Sequence, residues 1–151
     1  MINKMTVFEK IIGLLDEKGV KYRMLEHERV HTCEDAAKIR GTTPDQGAKS
    51  LVCVGDGNPL LIVLPCSKRL DMKGFKKKVG IKDLRFATVD EVKELTGLDV
   101  GSIPPIGKVL GDGLPTHVDA DLLKQEEICF NAGLHNRSVL MRSEDYVIVM
   151  K

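Results

Sequence analysis

Lys49 is the first residue of this sequence whose surroundings suggest chemistry. It follows the segment PDQGA and stands near the start of KSLVCV, an apolar run that predicts a buried strand. An apolar neighbour partly desolvates a lysine, and a fixed ammonium suits a phosphate, a carbonyl oxygen or a carboxylate. A lysine at a strand edge is also commonly a solvated end, so Lys49 alone leaves both interpretations open.

The second candidate is a loop, TGLDVGSIPPIGKV, in which Pro104 and Pro105 stand between Gly101 and Gly107. The prolines fix their own φ angles and restrict the residues before them, whereas the glycines permit unusual conformations and close approaches. We therefore expect a stiff loop with accessible N–H groups, able to stabilise a carbonyl oxygen that becomes an oxyanion. The alternative is a plain connection between a helix and a strand.

The third candidate is the turn in CFNAGLHNRS, where Asn131, His135 and Asn136 cluster. Polar turn residues usually satisfy their own backbone, and an isolated histidine in a turn is more often exposed than catalytic. The same alternative applies to His27 and His31, which lie near the second predicted helix. These residues need a structural context before a role can be given to them.

Conventional nucleophilic and cofactor-binding motifs are missing from the sequence. There is no GxSxG elbow, no Walker loop, no GxGxxG after a strand and no HExxH. The cysteines form no CxxC pair and no spacing typical of zinc, so we expect neither a disulfide framework nor a metal site. We expect buried small hydrophobic residues instead, above all for Cys53 and Cys129 in their apolar runs. The other two cysteines are Cys33 and Cys66.

The net charge of +1 conceals an uneven distribution of charge. Residues 68–85 contain eight basic and two acidic residues, whereas the rest of the chain carries 15 basic and 20 acidic residues. Such a basic segment is either a solvated helix face or a contact with a polyanion backbone. The lysines at its centre are Lys73, Lys76, Lys77 and Lys78.

Capping signals and hydrophobic periodicity predict the helices that position these residues. The first helix begins with the capping box of Thr6 and Glu9 and stops at Gly19, and the second runs from its cap Thr32 to Gly41. Three more are predicted: a basic helix capped by Asp71 and ending at Gly80, a helix opened by the capping box of Thr88 and Glu91, and a brief helix from Ser143.

Apolar runs predict a hairpin, KSLVCV and LLIVLP joined by GDGNP, that is buried on both faces at the centre of a sheet. EEICFN and SVLMR predict two further strands, and YRMLEH and LRFA two short ones. Because helices and strands intermix without a linker, we expect residues 1–151 to form one α/β domain with a mixed sheet. The charged N-terminal segment offers no apolar run for a signal peptide or membrane span, so we expect a cytoplasmic protein.

Four segments together resemble the YbaK/prolyl-tRNA-synthetase-associated domain family. They are GAKSLVCV, LLIVLPCSKRLD, TVDEVKELTGLDVGSIPPIG and FNAGLHNRSVLMRSEDY, and the resemblance runs from about Tyr22 to Tyr146. Members of this family are stand-alone or inserted editing domains that hydrolyse mischarged aminoacyl-tRNA. The resemblance implies a mixed, strongly curved β-sheet surrounded by helices.

The resemblance also implies the site residues. It assigns the reaction to Lys49 and to the loop at Gly101 and Ser102, where backbone amides would hold the scissile ester. Gly101 and Pro105 are the ends of the family's Gly-x-x-x-Pro segment, and Ser102 replaces the second glycine of a frequent pair, so the substrate cannot be copied from relatives. The residues expected to bind the substrate are His27, Thr32, Ser50, Ile103, Pro105, Asn131 and His135.

The sequence therefore predicts a trans-acting aminoacyl-tRNA deacylase that cleaves the ester between a wrong amino acid and the terminal adenosine. We expect no covalent nucleophile, because the vicinal hydroxyl of the terminal ribose can orient or activate water. The expected partners are the acceptor end of a mischarged tRNA, which the four central lysines would contact, and a synthetase as a further candidate. No membrane, metal or cofactor is expected.

The alternative is a non-catalytic module that binds tRNA or aminoacyl ends. The amino acid is left open, with alanine and cysteine as examples.

Overall fold

Helices and strands intermix along the chain in the computed structural model, which describes residues 5–30 and 32–151. The helices are α1 (Val7–Glu17), α2 (Cys33–Arg40), α3 (Met72–Val79), α4 (Val89–Thr96) and α5 (Ser143–Met150), with 3₁₀ turns at Gly107–Val109 and Leu122–Lys124. The strands are β1 (Tyr22–Glu26), β2 (Ala48–Gly55), β3 (Asn58–Pro65), β4 (Leu84–Phe86), β5 (Thr116–Val118), β6 (Glu127–Leu134) and β7 (Arg137–Arg142). No helix within the described ranges is long and apolar enough to cross a membrane.

Side-chain caps begin four of these helices where the sequence predicts. The hydroxyl of Thr6 accepts the N–H of Glu9 at 3.1 Å, and the carboxylate of Glu9 accepts the N–H of Thr6 at 3.0 Å. Such a cap typically stabilises a helix by about 1 kcal/mol. Thr88 and Glu91 form the same box before α4, Thr32 accepts the N–H of Asp35 before α2, and Asp71 accepts the N–H of Gly74 before α3.

The predicted hairpin forms the centre of a four-stranded sheet in the order β4-β2-β3-β5. β2 and β3 pair antiparallel over their full length, with Lys49 opposite Leu64. β5 runs parallel to β3, which makes the sheet mixed. β4 pairs with only Cys53–Gly55, so the first residues of β2 keep an edge that β4 does not cover.

The remaining strands form a three-stranded antiparallel sheet in the order β1-β7-β6. A parallel bridge between Gly47 and Cys129 joins the two sheets beside the start of β2. The mixed α/β fold is therefore confirmed, with its strands divided between two sheets that meet at this bridge.

The core lies between the sheets and α1 and is mainly aliphatic, as the four Phe and two Tyr of the sequence predict. Residues 103–110 contribute to this core as fully as the strands do. Ile106 and Leu110 are fully buried there, and burying each such side chain stabilises the fold by roughly 1.5–3 kcal/mol. A second, smaller cluster packs α3 through Phe75 onto the other face of the hairpin.

Two cysteines match the sequence-based expectation and two do not. Cys53 and Cys129 are free and buried, as predicted. Cys33 and Cys66 form a disulfide, with Cα atoms 5.7 Å apart, so the expectation of no disulfide is wrong. The separation of 33 positions along the sequence concealed the pair, because the two cysteines come close only when the start of α2 packs beside the end of β3.

Candidate active site

A cavity of about 380 Å³ opens between α2, the uncovered edge of β2, β6 and the segment 99–106, here called the proline loop. Its volume lies in the range of small-ligand sites, roughly 300–1,000 Å³. The fold brings seven of the ten predicted catalytic and substrate-binding residues to its wall: Thr32, Lys49, Ser50, Gly101, Ile103, Asn131 and His135. His27, Ser102 and Pro105 are not among the lining residues in the described part of the chain.

Lys49 lies near the start of β2, on the cavity wall. Its ammonium donates a hydrogen bond to the main-chain carbonyl of Lys68. Burial, and then the positive charge of Arg69, hold the pKa of Lys49 below its usual range. The ammonium is therefore fixed in direction and partly desolvated, which are the two properties that a lysine needs to orient a polar substrate group.

Ser50 follows Lys49 and also lines the cavity. Its hydroxyl oxygen is buried and has no hydrogen-bond partner among residues 5–30 and 32–151. A buried polar group without a partner costs about 1–3 kcal/mol. A substrate group that reached Ser50 Oγ and bonded to it would recover that cost.

The proline loop reaches the cavity through only part of its length. Ser102 is 3% exposed, and both its N–H and its hydroxyl donate to the carbonyl of Asp99, at 3.1 and 2.9 Å. It therefore presents neither group to the cavity, contrary to expectation, because the turn after α4 uses both. The amides of Gly101 and Ile103 donate to no group that the structure describes, so these two remain as donors at the wall.

The rest of the proline loop is an anchor rather than a bare, accessible segment. Pro105 is buried, and its carbonyl accepts a hydrogen bond of 2.5 Å from the phenol of Tyr146 on α5. Burial raises the pKa of Tyr146 above its usual range, so the phenol keeps its proton. Gly107 approaches the carbonyl of Leu114 so closely that no Cβ would fit there. Pro105 is thus held in the protein interior and is not among the residues that line the cavity, and its role in substrate binding stays a prediction.

Asn131 and His135 on β6 and its turn close the cavity opposite the hairpin. The side-chain amide of Asn131 donates to the carbonyl of Gly101. Nε2 of His135 is buried and unbonded among the described residues; Asp99 Oδ2 lies 3.8 Å away, too far for a hydrogen bond. Nε2 of His135 is therefore a second buried polar atom without a hydrogen-bond partner among the described residues, in a residue that lines the cavity.

The sequence matches a known family of enzymes. The profile described as "Aminoacyl-tRNA editing domain" matches residues 27–148, which is most of the chain. The chain belongs to the aminoacyl-tRNA editing domain family. The resemblance found in the sequence is thereby confirmed, and the chain is a hydrolase that acts on aminoacyl-tRNA.

Relatives of this editing domain cover nearly its whole length. A protein of Escherichia coli (strain K12) named "Multifunctional Ser/Thr-tRNA deacylase ProXp-y" is 35% identical over 144 residues, 92% of this chain and 85% of that protein. "Prolyl-tRNA editing protein ProX" of Acetoanaerobium sticklandii is 24% identical over 147 residues, 95% of this chain and 90% of that protein. A crystal structure described as a candidate trans-editing enzyme for prolyl tRNA synthetase has a TM-score of 0.81 and 29% identity, and covers 98% of this chain and 94% of that one.

Two residues that were predicted to bind the substrate, Thr32 and His27, form hydrogen bonds within the protein. Thr32 lines the cavity and also caps α2, so its hydroxyl is already engaged by the N–H of Asp35. His27 lies behind the wall, where its ring contacts the carbonyl of Glu28 at 2.7 Å and the hydroxyl of Ser138 at 2.8 Å. His31 lies outside the described residues.

Only part of the basic segment at residues 68–85 carries positive charge that no acidic side chain among the described residues compensates. Lys68 pairs with Asp119 and Asp121, and Arg85 pairs with Glu91, so acidic partners compensate both ends. The lysines of α3 have no acidic partner within the part of the chain that the structure describes. Of these, Lys73, Lys77 and Lys78 are exposed and Lys76 is half-buried. The free positive charge is thus concentrated on α3, six residues after the cavity residue Cys66.

Sequence reasoning missed Arg40 and the disulfide, both of which belong to the cavity wall. Arg40 in the last turn of α2 resembles an ordinary cation at a helix C-terminus, and no local signal distinguishes it.

No group of three or more His, Cys, Asp or Glu residues that could hold a metal occurs within the described ranges. The chemistry of the site therefore has to be argued from hydrogen-bond donors and positive charge.

Proposed function

We propose that this editing domain hydrolyses the ester of serine or threonine wrongly attached to tRNA, acting in trans on the acceptor end. The observation that carries the proposal is a cavity in which Lys49, the unpaired hydroxyl of Ser50 and free amides of the proline loop lie together. A hydroxyl-bearing amino acid can bond to Ser50 Oγ, whereas alanine leaves that atom unpaired. The name of the Escherichia coli relative, a Ser/Thr-tRNA deacylase, supports the same substrate class.

Lys49 orients the substrate in this proposal. Its ammonium is held by the carbonyl of Lys68, and an incoming carbonyl or phosphate oxygen would share the remaining N–H donors. A lysine ammonium has three donors and no acceptor, so it cannot act as the base while it is protonated. Its contribution is to position the ester and to stabilise negative charge.

The amides of Gly101 and Ile103 are the proposed donors to the oxyanion. Both belong to cavity-lining residues and are unbonded among the described residues, whereas the Ser102 amide between them is occupied by Asp99. Preorganised donors of this kind stabilise charge as it develops, and the loss of one typically costs ~10²–10³ in rate.

Water, rather than a side chain, attacks the ester in this proposal. Ser50 Oγ has no base within hydrogen-bond distance among residues 5–30 and 32–151, and Ser102 Oγ donates to a carbonyl. Burial raises the pKa of Cys53 to about 11 and also raises that of Cys129, so neither thiol ionises readily. The vicinal hydroxyl of the substrate's terminal ribose is then the group that orients or activates water.

The tRNA body contacts α3 in this proposal. The lysines of α3 lack acidic partners among the described residues. They lie a few residues after Arg69, whose positive charge helps to lower the pKa of Lys49. A tRNA backbone that leaves the cavity along this helix would meet positive charge.

The proposal includes a cytoplasmic location, where mischarged tRNA arises, and a prolyl-tRNA synthetase as partner, which the description of the solved relative supports.

Release of free amino acid from a panel of mischarged tRNAs tests the proposed function. We expect seryl- and threonyl-tRNA to be hydrolysed faster than alanyl- and cysteinyl-tRNA, and Lys49→Ala to retain less than about a tenth of the rate, a loss above ~1.4 kcal/mol. Lys21→Ala, which changes a lysine on an exposed loop, is the matched control and should keep the wild-type rate. Binding of tRNA without any release would favour the non-catalytic module instead.

A second assay tests the role assigned to the substrate. It uses seryl-tRNA whose terminal adenosine carries the amino acid but lacks the free vicinal hydroxyl. We expect hydrolysis to fall by at least tenfold, while binding of the same tRNA is retained. Hydrolysis at full speed, or an acyl-enzyme trapped on Ser50 or Ser102, would contradict the mechanism even if the deacylase activity were present.

A further inference from the structure

Arg40 is a cation at the cavity wall whose bonds all run to neutral groups. Its Nε donates to the hydroxyl of Ser138 at 2.9 Å, and its Nη2 donates to Oδ1 of Asn131 at 2.6 Å. No carboxylate lies within ion-pair distance of it in the part of the chain that the structure describes. Burial lowers the pKa of Arg40 from its usual value. A guanidinium that is desolvated without an acidic partner is costly, so its two hydrogen bonds are the feature to be explained.

The bond from Arg40 Nη2 fixes the orientation of the Asn131 amide. A guanidinium can only donate, so the atom of Asn131 that it contacts must be the carbonyl oxygen. The amide nitrogen then faces the carbonyl of Gly101, which can only accept. The two contacts agree on one orientation, and Arg40 thereby sets the direction of the bond to Gly101.

The bond from Arg40 Nε links Ser138 and His27 behind the cavity wall. His27 Nδ1 contacts the carbonyl of Glu28, so Nδ1 must carry the proton. In the neutral ring Nε2 then accepts from the hydroxyl of Ser138, whose oxygen is free to accept from Arg40. Ser138 is completely buried. Arg40 is thus the donor from which two hydrogen-bond chains start, one to His27 and one to Gly101.

The peptide between Gly101 and Ser102 is held at both of its polar ends. Its carbonyl accepts from Asn131, and its N–H donates to the carbonyl of Asp99. Gly101 has a φ of +96° and no side chain, so without these bonds this peptide could rotate. The two flanking amides, those of Gly101 and Ile103, belong to the neighbouring peptides, and holding the peptide between them restricts the directions that they can take.

We propose that Arg40 is a positioning residue for hydrolysis, which holds the Gly101–Ser102 peptide through Asn131 and so aims the flanking amides at the ester. The inference deepens the proposed function and rests on its assignment of those amides to the oxyanion. It adds a residue of α2, which touches no reacting atom in this account, to the machinery of the proline loop.

Kinetics of Arg40→Gln, Arg40→Lys and Asn131→Ala test this inference. Arg40→Lys keeps the charge and most of the packing but cannot reproduce the fork of donors. We expect each variant to lower kcat at least tenfold and to change KM less than threefold. The double variant Arg40→Gln with Asn131→Ala should be no slower than the slower single variant, because both break one chain. Lys38→Gln removes an exposed charge from the last turn of the same helix and should leave kcat unchanged.

Hydrogen exchange of the Ser102 amide, followed by NMR, provides a readout that does not depend on activity. We expect at least tenfold faster exchange in the Arg40 and Asn131 variants than in the wild type. Unchanged exchange with reduced kcat would show that Arg40 and Asn131 do not hold the Gly101–Ser102 peptide, which overturns the inference and leaves the proposed function standing. Faster exchange with unchanged kcat would overturn the positioning role and count against the oxyanion assignment itself. Additive losses in the double variant, or losses confined to KM, would also overturn it.

Discussion

The side-chain amide of Asn131 donates a hydrogen bond to the main-chain carbonyl of Gly101, 30 residues earlier in the chain. The bond joins β6 of the three-stranded sheet to the proline loop, which follows α4. Tyr146 of α5 holds the same loop at Pro105 from the other side. The loop is therefore fixed by tertiary bonds as well as by its prolines, and changes within it should affect rate and stability to different extents.

Replacement of Gly101 by alanine should lower kcat more than it lowers stability. Alanine rarely adopts the φ of +96°, at a cost of order 1–3 kcal/mol. A Cβ would lie 3.7 Å from Cε1 of His135, an ordinary contact, so the penalty is conformational rather than steric. We expect at least a tenfold loss of kcat and a modest fall in Tm. Gly57→Ala is the matched control: this hairpin-turn glycine has a φ of +83° and open space around it, so only Tm should fall. Equal effects on kcat in both variants would contradict the assignment.

Ser50→Ala should reduce discrimination in favour of hydroxyl-bearing amino acids. The variant removes the unpaired oxygen at the wall, so seryl-tRNA loses one hydrogen bond while alanyl-tRNA loses none. A hydrogen bond contributes about 0.5–1.5 kcal/mol, so we expect the ratio of kcat/KM for the two substrates to fall by roughly two- to tenfold. Ser67→Ala, at an exposed serine bonded to Asp45, should leave the ratio unchanged. An unaltered ratio in Ser50→Ala would show that selection occurs elsewhere in the cavity.

Neutralising Lys73 and Lys77 should weaken tRNA binding and make it less sensitive to salt. Each phosphate contact releases counterions, so the loss of two contacts should flatten the slope of log K against log salt by about 1–2. The measurement is binding of uncharged tRNA at several salt concentrations. A double variant of Lys18 and Lys21, exposed lysines that follow α1, serves as control. If both double variants show the wild-type slope, α3 is a solvated face.

Cys33→Ser should destabilise the protein under oxidising conditions only. The disulfide spans 33 residues, and closing a loop of that length stabilises the folded state by about 3–4 kcal/mol in the chain-entropy account. Thiols in the cytosol are usually reduced, so both redox states should be measured. We expect denaturant unfolding of the wild type to shift towards that of Cys33→Ser when a dithiol reductant is added. A variant that differs equally from the wild type with and without reductant would show that Cys33 acts through packing.

Glu91 should stabilise the protein at neutral pH and lose this effect in acid. Hydrogen bonds from Arg85 and then from the N–H of Thr88 lower the pKa of Glu91 to about 2. Because the pKa is lower in the folded state than the ordinary value of about 4.3, the contribution is complete above that value and declines as the pH falls towards 2. We expect Glu91→Gln to have a lower Tm than the wild type at pH 7 and a smaller difference at pH 3. Glu94→Gln on the exposed side of α4 should show no such trend.

Local signals predicted the elements of this fold well. The capping boxes of Thr6 with Glu9 and of Thr88 with Glu91 involve residues three apart, so they can be read directly from the sequence. The central hairpin was equally readable, because its turn residues and apolar strands are contiguous. The cavity was predictable in part, because Lys49 and Gly101 stand in motifs that resemble a known family.

Contacts between distant residues account for what sequence reasoning missed. Ser102 was expected at the reaction centre, but the carbonyl of Asp99 takes both its polar groups, which depends on how the chain turns after α4. Arg40 looks like any helix-terminal cation until Asn131 is placed beside it. The pairing of Cys33 with Cys66 likewise depends on the packing of α2 against the hairpin.

The pairing of β1 with β7 has a consequence for how the protein is made. Tyr22–Glu26 has no strand partner until Arg137–Met141 has left the ribosome, and Asn131 on β6 emerges only shortly before. The wall that contains Lys49 is synthesised long before the wall that faces it, and contacts between residues so far apart in sequence form slowly. A nascent chain should therefore carry an incomplete cavity through much of its translation, and the cavity closes only after β7 has been synthesised.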